Sequence, residues 1–337
     1  MLRPPADLGP RDAASFRWSA RSHGPARVML TVDDGDVSVR LQRPEGWSPA
    51  EAVGPSQSQL AAALTAAATP DAPWRVTTVR PRFSDVVLEQ YTVSLAGDGL
   101  RLGAAMTLYP SAPLPGTLTV VESCEADDVA YFVLAERGAV TAVRVREGVA
   151  QTANARLSLP RGTRLRLQCD AQQVLASPSP AGALAGGALF RFEGGVAGVG
   201  SVLDPPPGGA NEVHAMVLVR DGVLAFASSP GALRSWRLRP QAGFFGRGAS
   251  RWEHAGMLLD LIATPRIRRR VTGMQAMSDG DRVTVLLELA QGARLMRVQP
   301  AEQPMAPLDE APTPRFTPGG RAVMVSRDGG RTFRAPY

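Results

Sequence analysis

The sequence contains no lysine, only two cysteines among 337 residues, and 6% aromatic residues. Two cysteines are too few for a disulfide-rich secreted scaffold, and Cys124 and Cys169 are too far apart for a zinc site with closely spaced ligands. They could form one bridge, but buried free thiols are the expectation. No segment approaches the roughly 20 apolar residues that a membrane-spanning helix needs. The charged N-terminus is not followed by an apolar segment, so no secretory signal is predicted.

The net charge of +6 comes entirely from arginine. Strong GC bias in the source genome explains a chain without lysine. The functional alternative is a guanidinium surface for phosphate or carboxylate groups, which arginine binds in bidentate fashion. Arg266, Arg268, Arg269 and Arg270 are the candidate patch for an anionic partner, although such a run is also typical of a solvated strand edge. Because 31 acidic residues are interspersed with the arginines, nucleic-acid binding is not expected.

Glycine (34 residues) and proline (29 residues) are abundant and spread along the chain, which is typical of a fold with many turns. Between them lie short apolar or alternating runs at intervals of about 8–12 residues, as expected for strands of a sandwich, barrel or propeller. Three segments share a further pattern of apolar strands separated by charged turns. These segments are 129–146, 213–238 and 271–298. Successive strands of a propeller blade have this pattern, and at about 40–50 residues a blade the chain would hold six or seven.

Some segments depart from this rhythm. Ser56 to Ala68 is rich in alanine and leucine and predicts a short helix in a loop. The run Ser177-Pro178-Ser179-Pro180, with the small residues after it, predicts a long loop. Residues 1–14 are expected to form an N-terminal tail, and residues 300–318 a proline-rich loop excursion. No segment separates compositionally distinct halves, so one domain over residues 1–337 is predicted.

One specific motif stands near the C-terminus, from Ser326 to Phe333. Its defined positions are Ser326, Asp328, Gly330, Thr332 and Phe333, in the pattern S-x-D-x-G-x-T-[W/F]. The serine and aspartate oxygens can accept backbone N–H groups within a turn, and the glycines permit the positive φ of a tight hairpin. The motif resembles the Asp box of the sialidase-like (BNR-repeat) β-propeller superfamily. The resemblance implies an all-β propeller in which the box is structural and lies away from any catalytic face.

The catalytic residues of a sialidase are not recognisable. The string Phe333-Arg334-Ala335-Pro336 is similar to that family's early arginine motif but lies after the box. Glu89 and Tyr91 are two residues apart, which places both on one face of a strand. One hypothesis is that they form a catalytic tyrosine–glutamate pair, but a solvated or interface pair is the preferred interpretation.

The other chemical candidates are equally weak. His23, His214 and His254 form no metal-binding pattern, and His214 is expected to be structural within an apolar strand. The glycine-rich segment 194–200 lacks the ending of a phosphate loop and predicts strand–turn–strand. The acidic segment 33–36 predicts a hairpin turn. No catalytic residue, metal site or cofactor is therefore assigned.

The leading hypothesis is a non-enzymatic propeller that serves as a structural or protein-interaction subunit of a larger assembly, such as a phage virion or tail. Two alternatives stay open: a sialidase-like protein that binds or hydrolyses glycans, and an assembly factor of the photosystem type. Protein partners are expected, a glycan is an alternative ligand, and the expected location is cytoplasmic or virion-associated.

Overall fold

The computed structural model describes part of the chain in detail. The described residues are 17–23, 26–66, 72–82, 85–115, 118–126, 128–159, 163–179, 186–193, 197–207, 213–219, 222–229, 232–239, 251–260, 271–279, 282–289, 292–298, 307–311, 313–316 and 323–326. They form strands β1 to β28 and contain no helix.

The first three sheets, here called blades 1 to 3, account for β1 to β14. Blade 1 contains β1 (Arg17–His23), β2 (Ala26–Asp33), β3 (Asp36–Arg43), β4 (Gly46–Trp47) and β5 (Glu51–Ala52). Blade 2 contains β6 (Ala61–Thr65), β7 (Trp74–Arg82), β8 (Asp85–Ala96), β9 (Gly99–Leu102) and β10 (Met106–Leu108). Blade 3 contains β11 (Val120–Ala126), β12 (Val129–Glu136), β13 (Ala139–Arg146) and β14 (Val149–Ala155).

Blades 4 to 6 and a two-stranded sheet account for the remaining strands. Blade 4 contains β15 (Arg164–Cys169), β16 (Gln173–Ser179), β17 (Gly187–Arg191) and β18 (Val199–Leu203). Blade 5 contains β19 (Val213–Val219), β20 (Gly222–Ser229), β21 (Ala232–Arg239) and β22 (Arg251–Asp260). Blade 6 contains β23 (Val271–Asp279), β24 (Arg282–Leu289), β25 (Gly292–Val298) and β26 (Pro307–Ala311). The two-stranded sheet consists of β27 (Thr313–Phe316) and β28 (Val323–Ser326).

Each blade is an antiparallel meander in which the chain moves outward from the first strand to the last. The first strands of successive blades contact one another in series: β1 with β6, β6 with β11, β11 with β15, β15 with β19, and β19 with β23. They are therefore the inner strands, and the last strand of each blade lies at the outer edge. This arrangement is a β-propeller, as the sequence predicted.

The hydrophobic core is divided into five clusters, one at each junction between consecutive blades 1 to 6. The middle strands consequently bury both faces, as in β12, where all residues from Val129 to Ala135 are buried. A strand covered on both sides loses the apolar–polar alternation and becomes a continuous apolar run. The three segments with the shared strand–turn pattern do form strands β12–β13, β19–β21 and β23–β25.

The predicted helix at Ser56–Ala68 is wrong, because Ala61–Thr65 is the inner strand β6. Ala61 and Ala63 pack into the cluster shared with blade 3, whereas Ala62 and Leu64 pack into the cluster shared with blade 1. Inner strands lie where the blades converge, so small side chains fit there. This tertiary packing overrides the helix propensity of alanine, which is a weak preference.

Two predicted loops also contain strands. β16 continues through Ser177 and Pro178 to Ser179, and Pro178 is tolerated because β17 pairs with β16 only over Gln173–Ala176. The proline-rich excursion at 300–318 contains β26 and β27. By contrast, Val199 and Gly200 at the end of the glycine-rich segment 194–200 begin β18, which pairs with β17, and residues 194–196 lie outside the described part of the chain. Residues 1–14 lie outside the described part of the chain.

Polar side chains on the inner strands bind the backbone of neighbouring inner strands. Glu125 Oε2 accepts the amide of Leu64 (2.7 Å), which joins blade 3 to blade 2. Gln168 Oε1 accepts the amide of Leu218 (2.9 Å), and its Nε2 donates to the carbonyl of Ala276 (2.6 Å), which joins blade 4 to blades 5 and 6. Glu125 and Gln168 are both buried, so these bonds are made away from solvent and hold the inner strands together.

The cysteines are paired, which corrects the expectation of free thiols. Cys124 on β11 and Cys169 at the end of β15 form a disulfide with a Cα–Cα distance of 6.4 Å. The spacing along the sequence concealed this contact, because the inner strands of consecutive blades are adjacent in space but about 45 residues apart in the chain.

Candidate functional site

Most of the sequence-predicted site residues lie outside the described part of the chain. Of the Asp box, Ser326 is the last residue of β28, where it is opposite Thr313. Asp328, Gly330, Thr332 and Phe333 are outside, and so is the arginine patch at Arg266 and Arg268–Arg270. The structural role of the box and the binding role of the patch therefore stay predictions.

The structure does bring Glu89 and Tyr91 together, with Arg80 as a third member. Arg80 lies on β7, and the other two side chains lie on the adjacent strand β8. The Tyr91 hydroxyl donates to Glu89 Oε2 (3.0 Å). Arg80 donates from Nε to Glu89 Oε2 (2.9 Å) and from a terminal nitrogen to Oε1 (2.6 Å), so that the ion pair is bidentate. Arg80 carries no recognisable signal in the sequence, because its contact with Glu89 depends on the β7–β8 register.

The electrostatics of this cluster fix its protonation states. Hydrogen bonds from Arg80 lower the pKa of the Glu89 carboxyl despite its burial. Burial first, and the neighbouring Glu89 carboxylate second, raise the pKa of Tyr91 to about 12. Near neutral pH the tyrosine is thus a neutral hydrogen-bond donor, and both carboxylate oxygens are occupied. Because the ion pair with Arg80 lowers the pKa of Glu89 and the pKa of Tyr91 is raised, Glu89 is a weak base toward the tyrosine proton, although the two groups are hydrogen-bonded as a nucleophile and its base would be.

The loop between blades 1 and 2 packs against this cluster. A Cβ atom on Gly54 would lie 2.9 Å from the Tyr91 hydroxyl and 2.7 Å from Gln59 Nε2. The same loop is tied back to blade 1, where Asp36 accepts the Ser56 hydroxyl and the Gln57 amide, both at 2.6 Å. Tyr91 therefore packs at the blade 1–blade 2 junction, and both Tyr91 and Glu89 are buried, so they are not the solvated pair that the sequence allowed.

Two of the remaining chemical candidates have structural positions. His214 is buried on β19, and the acidic segment 33–36 is the turn between β2 and β3. In the described residues no group of three or more His, Cys, Asp or Glu side chains is arranged to hold a metal ion. The described ranges also contain no helix that is long and apolar enough to cross a membrane.

A different surface stands out at the outer edge of blades 2 to 4. The described residues contain seven exposed large apolar side chains, and five of these lie on or beside the outer strands β10, β14 and β18. We call these five residues the rim band. Its members and their exposed fractions are Met106 (49%), Tyr109 (84%), Val149 (63%), Val199 (68%) and Val202 (44%).

Backbone contacts join the three outer strands that carry the rim band. Pro110 forms a parallel bridge with Ala150, which places Tyr109 next to Val149. The Ser111 amide donates to the Ala150 carbonyl (3.2 Å), and the Ser111 and Thr152 hydroxyls are 3.0 Å apart. The Gly198 amide donates to the Thr152 carbonyl (2.9 Å), which connects the start of β18 to β14. The exposed side chains consequently project from backbone segments that are hydrogen-bonded to one another.

Comparisons with known proteins assign no family to the chain. No protein family model and no curated protein matches the chain. A structure from a study of two prolyl endopeptidases is 8% identical with a TM-score of 0.46, and the match covers 89% of this chain but 43% of that one. The chain therefore spans less than half the length of that protein.

Two other similar structures match over most of their own length. The six-bladed fucose-recognising lectin of the fungus Aleuria aurantia is 11% identical with a TM-score of 0.38, covering 91% of this chain and 97% of the lectin. BBS1N, solved in complex with ARL6DN, is 9% identical with a TM-score of 0.44, covering 98% of this chain and 93% of that chain. At such identities the likeness concerns architecture, and the assignment as a propeller rests on the strand order and junctions described above.

Proposed function

We propose that this propeller is a non-enzymatic protein-interaction subunit of a larger assembly and that it binds its partner through the rim band. The observation that carries the proposal is the concentration of exposed apolar side chains on the outer strands of three consecutive blades. Exposed apolar side chains that are concentrated on one part of a surface point to an interaction site, whereas those scattered singly need no such explanation. Tyr109 is the expected centre, since tyrosine is enriched among the residues that dominate interface energies.

The backbone order of the rim band favours tight binding. Tyr109 and Val149 lie on segments that are hydrogen-bonded to each other, so a partner would not have to order a loop before contacting them. Preorganisation of this kind reduces the entropic cost of association. The Glu89–Tyr91–Arg80 cluster adds support of a different kind, because its occupied carboxylate and neutral tyrosine favour a role in blade packing over catalysis.

We further propose that the chain is an Asp-box propeller of the sialidase-like type. The support is the match of Ser326 to Phe333 to the motif, together with the position of Ser326 at the end of β28. In this proposal the box stabilises a hairpin and takes no part in partner binding.

The test of the interaction proposal uses Tyr109→Glu and Val149→Glu, with Leu95→Glu as the matched control. Leu95 is 51% exposed but lies near the β8–β9 turn, outside the rim band. Partners that co-purify from the native source would be identified, and binding to the purified partner would then be measured. We expect each rim variant to weaken binding at least tenfold, the equivalent of about 1.4 kcal/mol, and the control to bind normally.

Two results would contradict the proposal. One is a purified partner that binds the rim variants and the wild type equally well. The other is a full-length protein that stays monomeric and recovers no partner from its source. A glycan array run on the wild type and the same variants tests the alternative that the protein binds glycans. Sugar binding that persists in both rim variants would show that a surface other than the rim band binds the glycan.

A further inference from the structure

We infer that the protein matures in an oxidising compartment, where Cys124 and Cys169 are oxidised to a disulfide that joins blades 3 and 4. This inference is independent of the rim band. It departs from the cytoplasmic location expected from the sequence, because structural disulfides form and persist in oxidising environments and are rare in the cytosol.

The positions of the two cysteines are set by bonds that do not involve sulfur. Ser123 and Glu125, the neighbours of Cys124, bind the backbone of β6 in blade 2 at Ala62 and Leu64. Gln168, the neighbour of Cys169, binds the backbone of blades 5 and 6. Each cysteine thus lies on a strand that is bonded to the blade on the far side from the other cysteine: β11 to blade 2, and β15 to blades 5 and 6. The Cα atoms of the two cysteines are 6.4 Å apart. This distance is within the range that a disulfide bridges without backbone movement.

Such preorganisation favours the disulfide. When two thiols are held together by the fold, closing the bond costs little additional chain entropy, and the effective concentration of one thiol at the other is high. Cys124 is only 2% exposed and belongs to the core cluster between the two blades, whereas Cys169 is partly buried at its edge. The chain contains no third cysteine, so only one intramolecular pairing exists.

The chemistry requires an external oxidant. The two thiols give up two protons and two electrons as the Sγ–Sγ bond forms. A disulfide-bearing oxidant, either a thiol oxidoreductase or a small-molecule disulfide, accepts them as its own S–S bond breaks and gives two thiols. The product covalently joins the inner strands of blades 3 and 4, between residues that are 45 positions apart in the chain.

The first experiment measures the redox state in the native source. Cells are quenched with acid, free thiols are alkylated under denaturing conditions, and the full-length protein is analysed by intact mass spectrometry. We expect no alkylation and the mass of the chain minus two hydrogens. Alkylation of both cysteines in freshly quenched cells would overturn the inference.

The second experiment measures what the bond contributes. Full reduction, verified by mass, should lower the thermal midpoint of the wild type by roughly 5 °C, given the size of the closed loop and of the chain. The Cys124→Ala/Cys169→Ala double variant should unfold at the midpoint of the reduced protein and show no response to reductant. An unchanged wild-type midpoint after complete reduction would contradict the structural role, and an equal response of the double variant would assign the effect to something other than this bond.

Discussion

At the scale of single residues, the Glu89 carboxylate is a buried ionisable group with more than one partner. It accepts hydrogen bonds from Arg80 and Tyr91 while only 9% of its side chain is exposed. Removing one partner from a buried ion pair costs more than the pair itself contributes, because the remaining charge loses its solvation and its partner together. Glu89 and Arg80 are therefore expected to tolerate substitution poorly.

Glu89→Gln should reveal this constraint through its pH dependence. The pKa of Glu89 is lowered in the folded protein, so its contribution to stability is present above the carboxyl pKa of the unfolded chain and is lost as pH falls through the folded pKa. We expect the free energy of unfolding at neutral pH to drop by roughly 1–3 kcal/mol. The gap between wild type and variant should narrow below about pH 4.

The measurement is urea denaturation between pH 3 and pH 7, with Glu51→Gln as the control. Glu51 is exposed on β5, so its substitution should change stability little at any pH. A gap between wild type and Glu89→Gln that stays constant down to the lowest pH would contradict the role assigned to the ion pair.

At the scale of strands, the sequence predicted most of the middle strands of the blades but missed the inner strand β6. Runs such as Val129–Leu134 and Val223–Ala227 are rich in branched and aromatic residues, and they were predicted as strands because of it. β6 was missed because it consists largely of alanine, which packs well between blades 1 and 3 but carries a helix preference in isolation. Strand propensity is largely a matter of packing context, so the blade geometry had to be known before Ala61–Thr65 was recognisable.

The same lesson applies to the candidate site. The spacing of Glu89 and Tyr91 predicted that they share a face, but the register that brings Arg80 to them is set by the β7–β8 hairpin. The rim band was not predicted, since Tyr109 and Val149 are 40 residues apart and become neighbours only through the bridge between Pro110 and Ala150. Exposure on the outer strands is a property of the assembled blades, and the alternation of apolar and polar residues along one strand does not reveal which outer strands are neighbours.

The close approach of β14 and β18 provides a prediction at this scale. A Cβ atom on Gly200 would lie 2.3 Å from the Asn154 carbonyl oxygen, so an alanine there must push the two outer strands apart. We expect Gly200→Ala to lower the free energy of unfolding by roughly 1–3 kcal/mol. It should also speed hydrogen exchange at the Gly198 amide, which is bonded to Thr152.

Gly99→Ala is the matched control for this substitution. Gly99 lies on the outer strand β9, where the nearest atom to an added Cβ is 3.8 Å away. The control should be neutral or slightly stabilising, because alanine reduces the entropy of the unfolded chain. Equal losses of stability in the two variants would show that the β14–β18 contact is not tight.

At the scale of the whole molecule, stability depends on the junctions between blades. Each of the five core clusters contains residues of two consecutive blades. The hydrophobic core of each of the blades 2 to 5 is therefore shared with its neighbours on both sides. If the propeller unfolds cooperatively, the clusters at these junctions must lose their packing together. The inner-strand bonds of Glu125 and Gln168 and the disulfide are well placed for this purpose, because they connect blades 2 to 6 where the strands converge.

Gln168 tests this idea, since its one side chain reaches both blade 5 and blade 6. Gln168→Ala leaves the Leu218 amide and the Ala276 carbonyl without this buried partner, and we expect a loss of roughly 2–4 kcal/mol. Hydrogen exchange should accelerate at Leu218 and in the inner strands β19 and β23. Gln90→Ala is the control, because the buried Gln90 amide bonds to Thr77 within blade 2 (3.1 Å). If Gln168→Ala accelerated exchange only within blade 4, the inner strands would be packed side by side without being coupled, and the blades would unfold as separate units.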